Sequence, residues 1–235
     1  MLPATGMRLG ILAIAVLALS RSASAADTYR SECFAPAPDN AKTIQYPAKK
    51  GPFKIALVNG YVGNDWRLTT ILSAKAWGAR PENKAKLADF KVISVGNDSA
   101  AQIAAIDNFI AAGYDGIVIN AVNPSAFDPV IKRAQRAGTV LVPYDNVLDT
   151  DKIVQINEDQ FELGKIKAEA VVEGIKAARG EVKGQVLEAS GLPGNSVDRD
   201  NHNGMRSVLD KYKGLKVVQV VGNWDAGTVE KVTAD

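Results

Sequence analysis

From residue 53 onward, short continuous apolar runs alternate with longer segments in which apolar residues recur every three or four positions. Ile55, Ala56, Leu57 and Val58 leave neither face polar, which predicts a strand covered on both sides by helices. Gly60 and Gly63 then break the chain into a loop, and Asn64 can cap a helix from Asp65 to about Trp77 with Leu68, Ile71, Leu72 and Ala76 on one stripe. Pro81 ends that helix. A second strand is expected from Phe90 to Val95, followed by a Ser99-to-Gln102 capping box and a helix burying Ile103, Ile106 and Ile110 up to Gly113. Asp115 to Asn120 reads as the third strand, with Asn123-Pro124 as cap and first-turn proline of a helix presenting Phe127, Val130, Ile131 and Ala134. That helix closes at Gly138, and Thr139 to Tyr144 is the fourth strand. Such regular alternation predicts parallel strands and right-handed crossovers in a doubly wound sheet.

The pattern changes after Tyr144. Val147 to Lys152 is polar, and Ile153 to Asn157 reads as a strand with no helix before it, as where a chain leaves one sheet for another. A long helix is expected from about Asp159 to Ala178, burying Phe161, Leu163, Ile166, Ala170 and Ile175. Alternation then resumes: strand Gly184 to Ser190, helix Ser196 to Tyr212, strand Leu215 to Val221. The loop from Gly191 to Asn195 echoes Gly63-Asn64, a weak internal duplication that predicts two similar lobes facing a cleft. Ala226 to Asp235 begins a helix with no strand after it, so the sequence is expected to be cut short of a complete second lobe. The resulting division is 1–25 signal, 26–52 extended leader, 53–147 first α/β lobe and 148–235 partial second lobe.

The N-terminus departs from this pattern. Arg8 precedes an apolar run from Leu9 to Leu19, and Ala23-Ser24-Ala25 supplies small residues for signal cleavage after Ala25. The run is short for a membrane span, so export is expected. The leader carries Pro36, Pro38 and Pro47 and little periodicity. Cys33 is the chain's one cysteine: a free thiol, a link between chains, or half of a lost pair.

Among 235 residues, a net charge of +2 with both signs interleaved disfavours nucleic acid as a partner. With His202 as the one histidine, no histidine-rich metal site is expected, and no cofactor motif appears. No phosphate loop, dinucleotide fingerprint or serine elbow is present, which favours binding over catalysis. An apolar N-terminus in place of a helix-turn-helix argues against a transcription regulator.

Candidate chemistry gathers where strands end, since ligands of parallel α/β sheets sit outside the carboxyl ends. Asn64, Asp65, Trp66 and Arg67 follow the first strand, and Asp145 and Asn146 follow the fourth. A flat aromatic beside amide, carboxylate and guanidinium groups suits a polyhydroxylated ligand. The plainer alternative is a capped helix start with a partly buried Trp. Likewise Asp145 can cap a turn, Trp224 can be packing, and His202 can be a surface residue.

These stretches, above all Asn-Gly-x-x-Gly-Asn-Asp-Trp after the first strand, Gly-Tyr-Asp-Gly-Ile-Val-Ile-Asn for the third and Val-Pro-Tyr-Asp-Asn before the crossover, resemble the type I periplasmic sugar-binding proteins of ABC importers, the ribose-binding-protein-like group. The resemblance runs from about Phe53 to the end. It implies two doubly wound α/β lobes joined by a hinge, the second incomplete, in a periplasmic, monomeric, non-enzymatic protein that passes a sugar or polyol to an ABC permease. An exported sensing module for a chemoreceptor or histidine kinase is the alternative. By resemblance Asn64 bonds sugar hydroxyls, Trp66 stacks on the ring, Asp145 accepts two adjacent hydroxyls, Arg199 and Asn201 lie near second-lobe arginines, and Trp224 is the second lobe's aromatic. Arg67 stands in place of a second aromatic and Asn146 in place of an arginine, which argues against ribose itself. Hinge closure over the ligand is the implied mechanism, and a chain lacking later second-lobe strands is expected to bind weakly or not at all and to be open to aggregation through an exposed sheet edge.

Overall fold

Two parallel sheets organise the chain, and the computed structural model describes residues 46–234 of it. The expected signal and cleavage site, Cys33 and most of the expected leader lie outside the described residues. The first sheet is built from β1 (Phe53–Asn59), β2 (Leu87–Ser94), β3 (Gly116–Ile119) and β4 (Val140–Pro143), in the order β2-β1-β3-β4. Its helices are α1 (Asp65–Ala79), the short α2 (Pro81–Lys84), α3 (Ser99–Ala111) and α4 (Asp128–Ala137). The second sheet pairs β5 (Gly184–Ser190) with β6 (Leu215–Val221), accompanied by α5 (Gln160–Arg179), α6 (Ser196–Leu209) and α7 (Ala226–Ala234). Among the described residues every strand pairing is parallel, so the two-lobe α/β reading holds.

The order reverses between β1 and β3: from β1 the chain builds outward to β2, then returns to add β3 and β4 on the other side. Such a switch point opens a crevice at the strands' carboxyl ends. Asn59 ends β1, and Asn120 directly follows β3, its N–H donating to the Val58 carbonyl. Beneath them Val58, Ile106, Ile117, Ile119, Phe127, Val130, Ile131 and Leu141 form the first-lobe core. Burying each of the larger of these side chains contributes about 1.5–3 kcal/mol. The second lobe's cluster is smaller, with Ala168, Val172, Val208 and Leu209 at its centre.

Several local expectations are corrected. The 153–157 strand is a single bridge between Tyr144 and Ile156, because the Asp145 and Ile156 backbones meet once before the chain turns toward α5. Helix α4 starts at Asp128 instead of Asn123-Pro124, since the Asn123 side chain closes a turn by accepting from the Ser125 N–H and hydroxyl. Asp98, not Ser99, caps α3, which frees Gln102 for the interior. The expected apolar stripes of α1 and α5 also face differently. On α1, Arg67 and Ile71 are buried while Leu68 and Leu72 are exposed. On α5, Gln160, Gly164, Ala168 and Val172 pack inward, leaving Phe161, Leu163 and Ile166 exposed.

The inward row of α5 is explained by its contact with α6. A Cβ on Gly164 would lie 2.2 Å from the Asn201 carbonyl oxygen, and one on Gly204 would lie 2.0 Å from that of Phe161. The two backbones touch through reciprocal glycines, so small residues at four-residue spacing, not large apolar ones, set the interface.

Candidate functional site

Asparagine caps at two helix starts bring the lobes' polar groups to one cleft. Asn64 caps α1 by accepting from the Arg67 N–H at 2.9 Å, and Asn195 caps α6 by accepting from the Val197 N–H at 3.0 Å. The glycine-loop-to-asparagine echo in the sequence therefore corresponds to one local structure used twice. Between these helix starts lies a cavity of about 300 Å³. Asn64, Trp66, Arg67, Asp145, Asn146, Asn201 and Trp224 line it, together with Glu158, Gln160, Leu163, Lys167 and Val197.

Two of the expected site residues lie elsewhere. Asp65 is exposed on the first turn of α1 and does not reach the cavity wall. Arg199 turns outward, donating to Asp149 at 3.0 Å and Asp200 at 2.7 Å. Those hydrogen bonds, to Asp200 first, raise its already high pKa and hold it away from the cleft.

On the first-lobe wall, Arg67 is 8% exposed, yet its hydrogen-bond partners are amides. Nη1 donates to Asn59 Oδ1 at 2.9 Å and to Asn120 Oδ1. Asn120 is fully buried; the same oxygen also accepts from Asn146 Nδ2 at 2.8 Å, while its Nδ2 donates to Asp145 Oδ2 at 3.1 Å. One amide thus separates a cation from an anion and orients both. Burial lowers the Arg67 pKa, opposed by the charge of Asp145. Burial also raises the Asp145 carboxyl, against the Asn120 hydrogen bond and the Arg67 charge. Buried Gln102 fixes the strand end beneath, donating to the Asn120 carbonyl at 2.8 Å and accepting from the Val122 N–H at 2.9 Å.

The second-lobe wall repeats this chemistry. Lys167 Nζ donates to Asn201 Oδ1 at 2.7 Å, Asn201 Nδ2 to Gln160 Oε1 at 2.6 Å, and Gln160 Nε2 to Glu158 Oε2 at 3.1 Å. Cation and carboxylate again stand at opposite ends of an amide chain. Two tryptophans complete the cavity. Trp66, 48% exposed, stacks on Tyr144 at 6.4 Å between centroids and sits 5.4 Å from the Arg67 guanidinium carbon. Trp224 adopts φ 59, a left-handed conformation costly for a bulky residue, and Asn223 before it has φ 54. The Trp224 carbonyl accepts from Asn64 Nδ2 at 3.0 Å, and its indole occupies the space that a Cβ on Gly191 would fill. Asp145 is likewise left-handed, at φ 56.

Glu158, Gln160 and Lys167 are absent from the sequence-derived site, as are Asn59, Gln102 and Asn120. The polar run Asn157-Glu158-Asp159-Gln160 between a strand-like stretch and a helix was the available signal. There Asp159 caps α5 by accepting from the Glu162 N–H at 2.9 Å, as Asn64 and Asn195 cap α1 and α6. His202 lies behind the cavity wall, its Nδ1 within 2.8 and 3.1 Å of the two Glu188 oxygens.

A larger cavity of about 650 Å³ lies elsewhere on the first lobe, against Phe53, Ile55, Val118, Val140 and Val142, with the Lys49–Asp115 ion pair at its rim. Its walls are mainly the apolar side of the sheet, without the convergent polar groups and tryptophans of the cleft.

The periplasmic binding protein domain family matches residues 55–235. A ribose import binding protein from Bacillus subtilis is 28% identical over 133 residues, covering 55% of this chain and 42% of its own length. A D-ribose/D-allose-binding protein from Pseudomonas aeruginosa is 28% identical over 184 residues, covering 73% of this chain and 54% of its own length. Among solved structures, an ABC transporter solute binding protein from Thermobispora bispora superposes with a TM-score of 0.69 at 27% identity, covering 77% of this chain and 55% of its own. The chain spans about half the length of these relatives.

Proposed function

The chain belongs to the periplasmic binding protein domain family, and from that premise we propose that it captures a monosaccharide or related polyol between its lobes and presents it to an ABC permease. The observation carrying this reading is the cleft itself: two tryptophans and two cation–amide–carboxylate chains converge from opposite lobes on a volume of monosaccharide scale. An indole covers the apolar C–H face of a sugar ring, while carboxylates accept from hydroxyls and the cations donate to oxygens. Relatives named for ribose, allose and xylose binding support a sugar as the ligand.

The residues assigned to ligand contact are Asn64, Trp66, Arg67, Asp145, Asn146, Asn201 and Trp224. Asn64 already spends its oxygen on the α1 cap and one N–H on Trp224, which leaves one N–H for a ligand. The proposed role is binding without catalysis, in the periplasm, with hinge motion closing the lobes over the ligand. A thermal-shift screen of the purified chain against D-ribose, D-allose, D-xylose and xylitol, followed by calorimetry, tests it. The expected result is a raised melting temperature with one sugar class. A cooperative transition that no sugar or polyol moves would sink the reading.

A further inference from the structure

Ligand discrimination by this cleft depends on the wall that faces Arg67 and Asp145, where the sequence points to Arg199 as the cation. The structure removes Arg199 from that role, since both of its carboxylate partners lie outside the cavity lining. The second-lobe cation that does line the cleft is Lys167. Among the described residues, no ion pair involves Lys167, in contrast to Lys165 two positions earlier, which is held by Glu162 at 2.6 Å.

Lys167 is exposed, and an exposed lysine ordinarily has no fixed direction; here the Asn201 hydrogen bond supplies one. Its acceptor, Asn201, is buried and spends Nδ2 on both Gln160 Oε1 and the Val197 carbonyl, at 2.6 and 3.1 Å. Flipping that amide would forfeit both bonds, so Oδ1 stays turned toward the ammonium. An ammonium has three donors, and Asn201 takes one. We propose that Lys167 is a specificity-determining residue of the cleft, donating a charge-assisted hydrogen bond to a hydroxyl or carboxylate oxygen of the bound sugar. This rests on the sugar reading above. Glu158, at the far end of the same amide chain, accepts from a ligand hydroxyl, so the second wall reads the ligand with one donor and one acceptor joined through Asn201 and Gln160. A ligand lacking an oxygen at the lysine leaves the ammonium's remaining donors unpaired once water is excluded, and that disfavours it.

Calorimetric titrations of the full chain with D-ribose, D-allose, D-xylose, D-glucose and D-glucuronate, repeated on Lys167→Met and Lys167→Gln, test the assignment. Affinity for the best probe is expected to fall about 10-fold to 100-fold in Lys167→Met, the range for a hydrogen bond from a charged group. Lys167→Gln, which retains a neutral donor, is expected to lose less. The order of preference among probes shifts in both variants while their melting temperatures match the wild type, a combination that a purely structural role would not produce. A larger loss for D-glucuronate than for D-glucose identifies the acceptor as a carboxylate; equal losses identify a hydroxyl. If the wild type binds a probe and both variants match it in affinity and order, the lysine assignment is overturned and the sugar reading stands. If the folded wild type binds none of the five, the sugar reading falls and this assignment with it.

Discussion

Asn120 serves three partners with one side chain, accepting from Arg67 and Asn146 and donating to Asp145. Replacing it by leucine keeps the bulk but takes from the buried Arg67 guanidinium one of its two amide partners, leaving it Asn59, and removes a partner from Asp145 and Asn146. Asn120→Leu is therefore expected to lower unfolding free energy by about 3 kcal/mol, the scale for a lost buried partner of a charged group, as read by urea denaturation. Asp145 gives a pH signature. Burial holds its carboxyl above the ordinary 3.8, so just above that value the native state keeps a proton that the unfolded chain has released. Stability then falls as pH rises from about 4 through the folded pKa, and the loss persists above it. Asp145→Asn, which tolerates the left-handed backbone, removes this slope. Denaturation midpoints from pH 4 to 7 that run parallel in wild type and variant would refute the assignment. The sequence marked Asp145 and Arg67 by their position after strands. It did not mark Asn120, because a single asparagine at a strand end looks the same whether it faces solvent or joins two opposite charges.

At the scale of elements, α5 and α6 hold the second wall in register through Gly164 and Gly204. An alanine at either position forces backbone from backbone. Gly164→Ala and Gly204→Ala are each expected to destabilise the chain by about 1–3 kcal/mol, the usual cost of overpacking, and to loosen the Asn201–Gln160 bond. Circular dichroism melts check the first effect; amide exchange at the start of α6 checks the second. Strands β5 and β6 match their sequence-derived limits because their short runs are bounded by glycine and polar turns. The stripes on α1 and α5 did not match. Periodicity places residues on a common face but does not say which face meets a neighbour; on α5, glycine and alanine allowed an approach that large apolar residues would prevent, while α1 turns Arg67 and Ile71 inward. The outcome leaves Leu68, Leu72, Phe161 and Ile166 exposed.

At the scale of the whole molecule, hydrogen bonds cross from one lobe to the other. Tyr61 donates to Asp225 at 3.2 Å, Asn64 to the Trp224 carbonyl at 3.0 Å, and Asn195 to the Ala121 carbonyl at 3.5 Å. The Tyr61 and Asn64 bonds join the β1 loop to the β6 loop at the cleft. Hydrogen bonds from Thr228, side chain first, and then from Tyr61, hold the Asp225 carboxyl below its usual value. Tyr61→Phe removes one crossing contact without touching the cavity lining. It is expected to speed sugar release about 2-fold to 10-fold, as for one net hydrogen bond, with little change in association, measured by stopped-flow tryptophan fluorescence.

The alternation of apolar runs with helical periodicity determined the parallel α/β class, the crossover between lobes and the placing of Trp66, Arg67, Asp145 and Trp224 at strand ends. Those features follow from local geometry, since strand and helix periods and the carboxyl-end rule need no knowledge of distant partners. Only the tertiary structure decided that Arg199 is spent on Asp149 and Asp200, that Lys167 faces the cleft in its place, that Asn120 links a cation to a carboxylate, and that Asn201 does so through Gln160. These outcomes depend on which side chains meet across dozens of residues, and a hydrogen bond between residues 34 or 53 positions apart leaves no period in the chain.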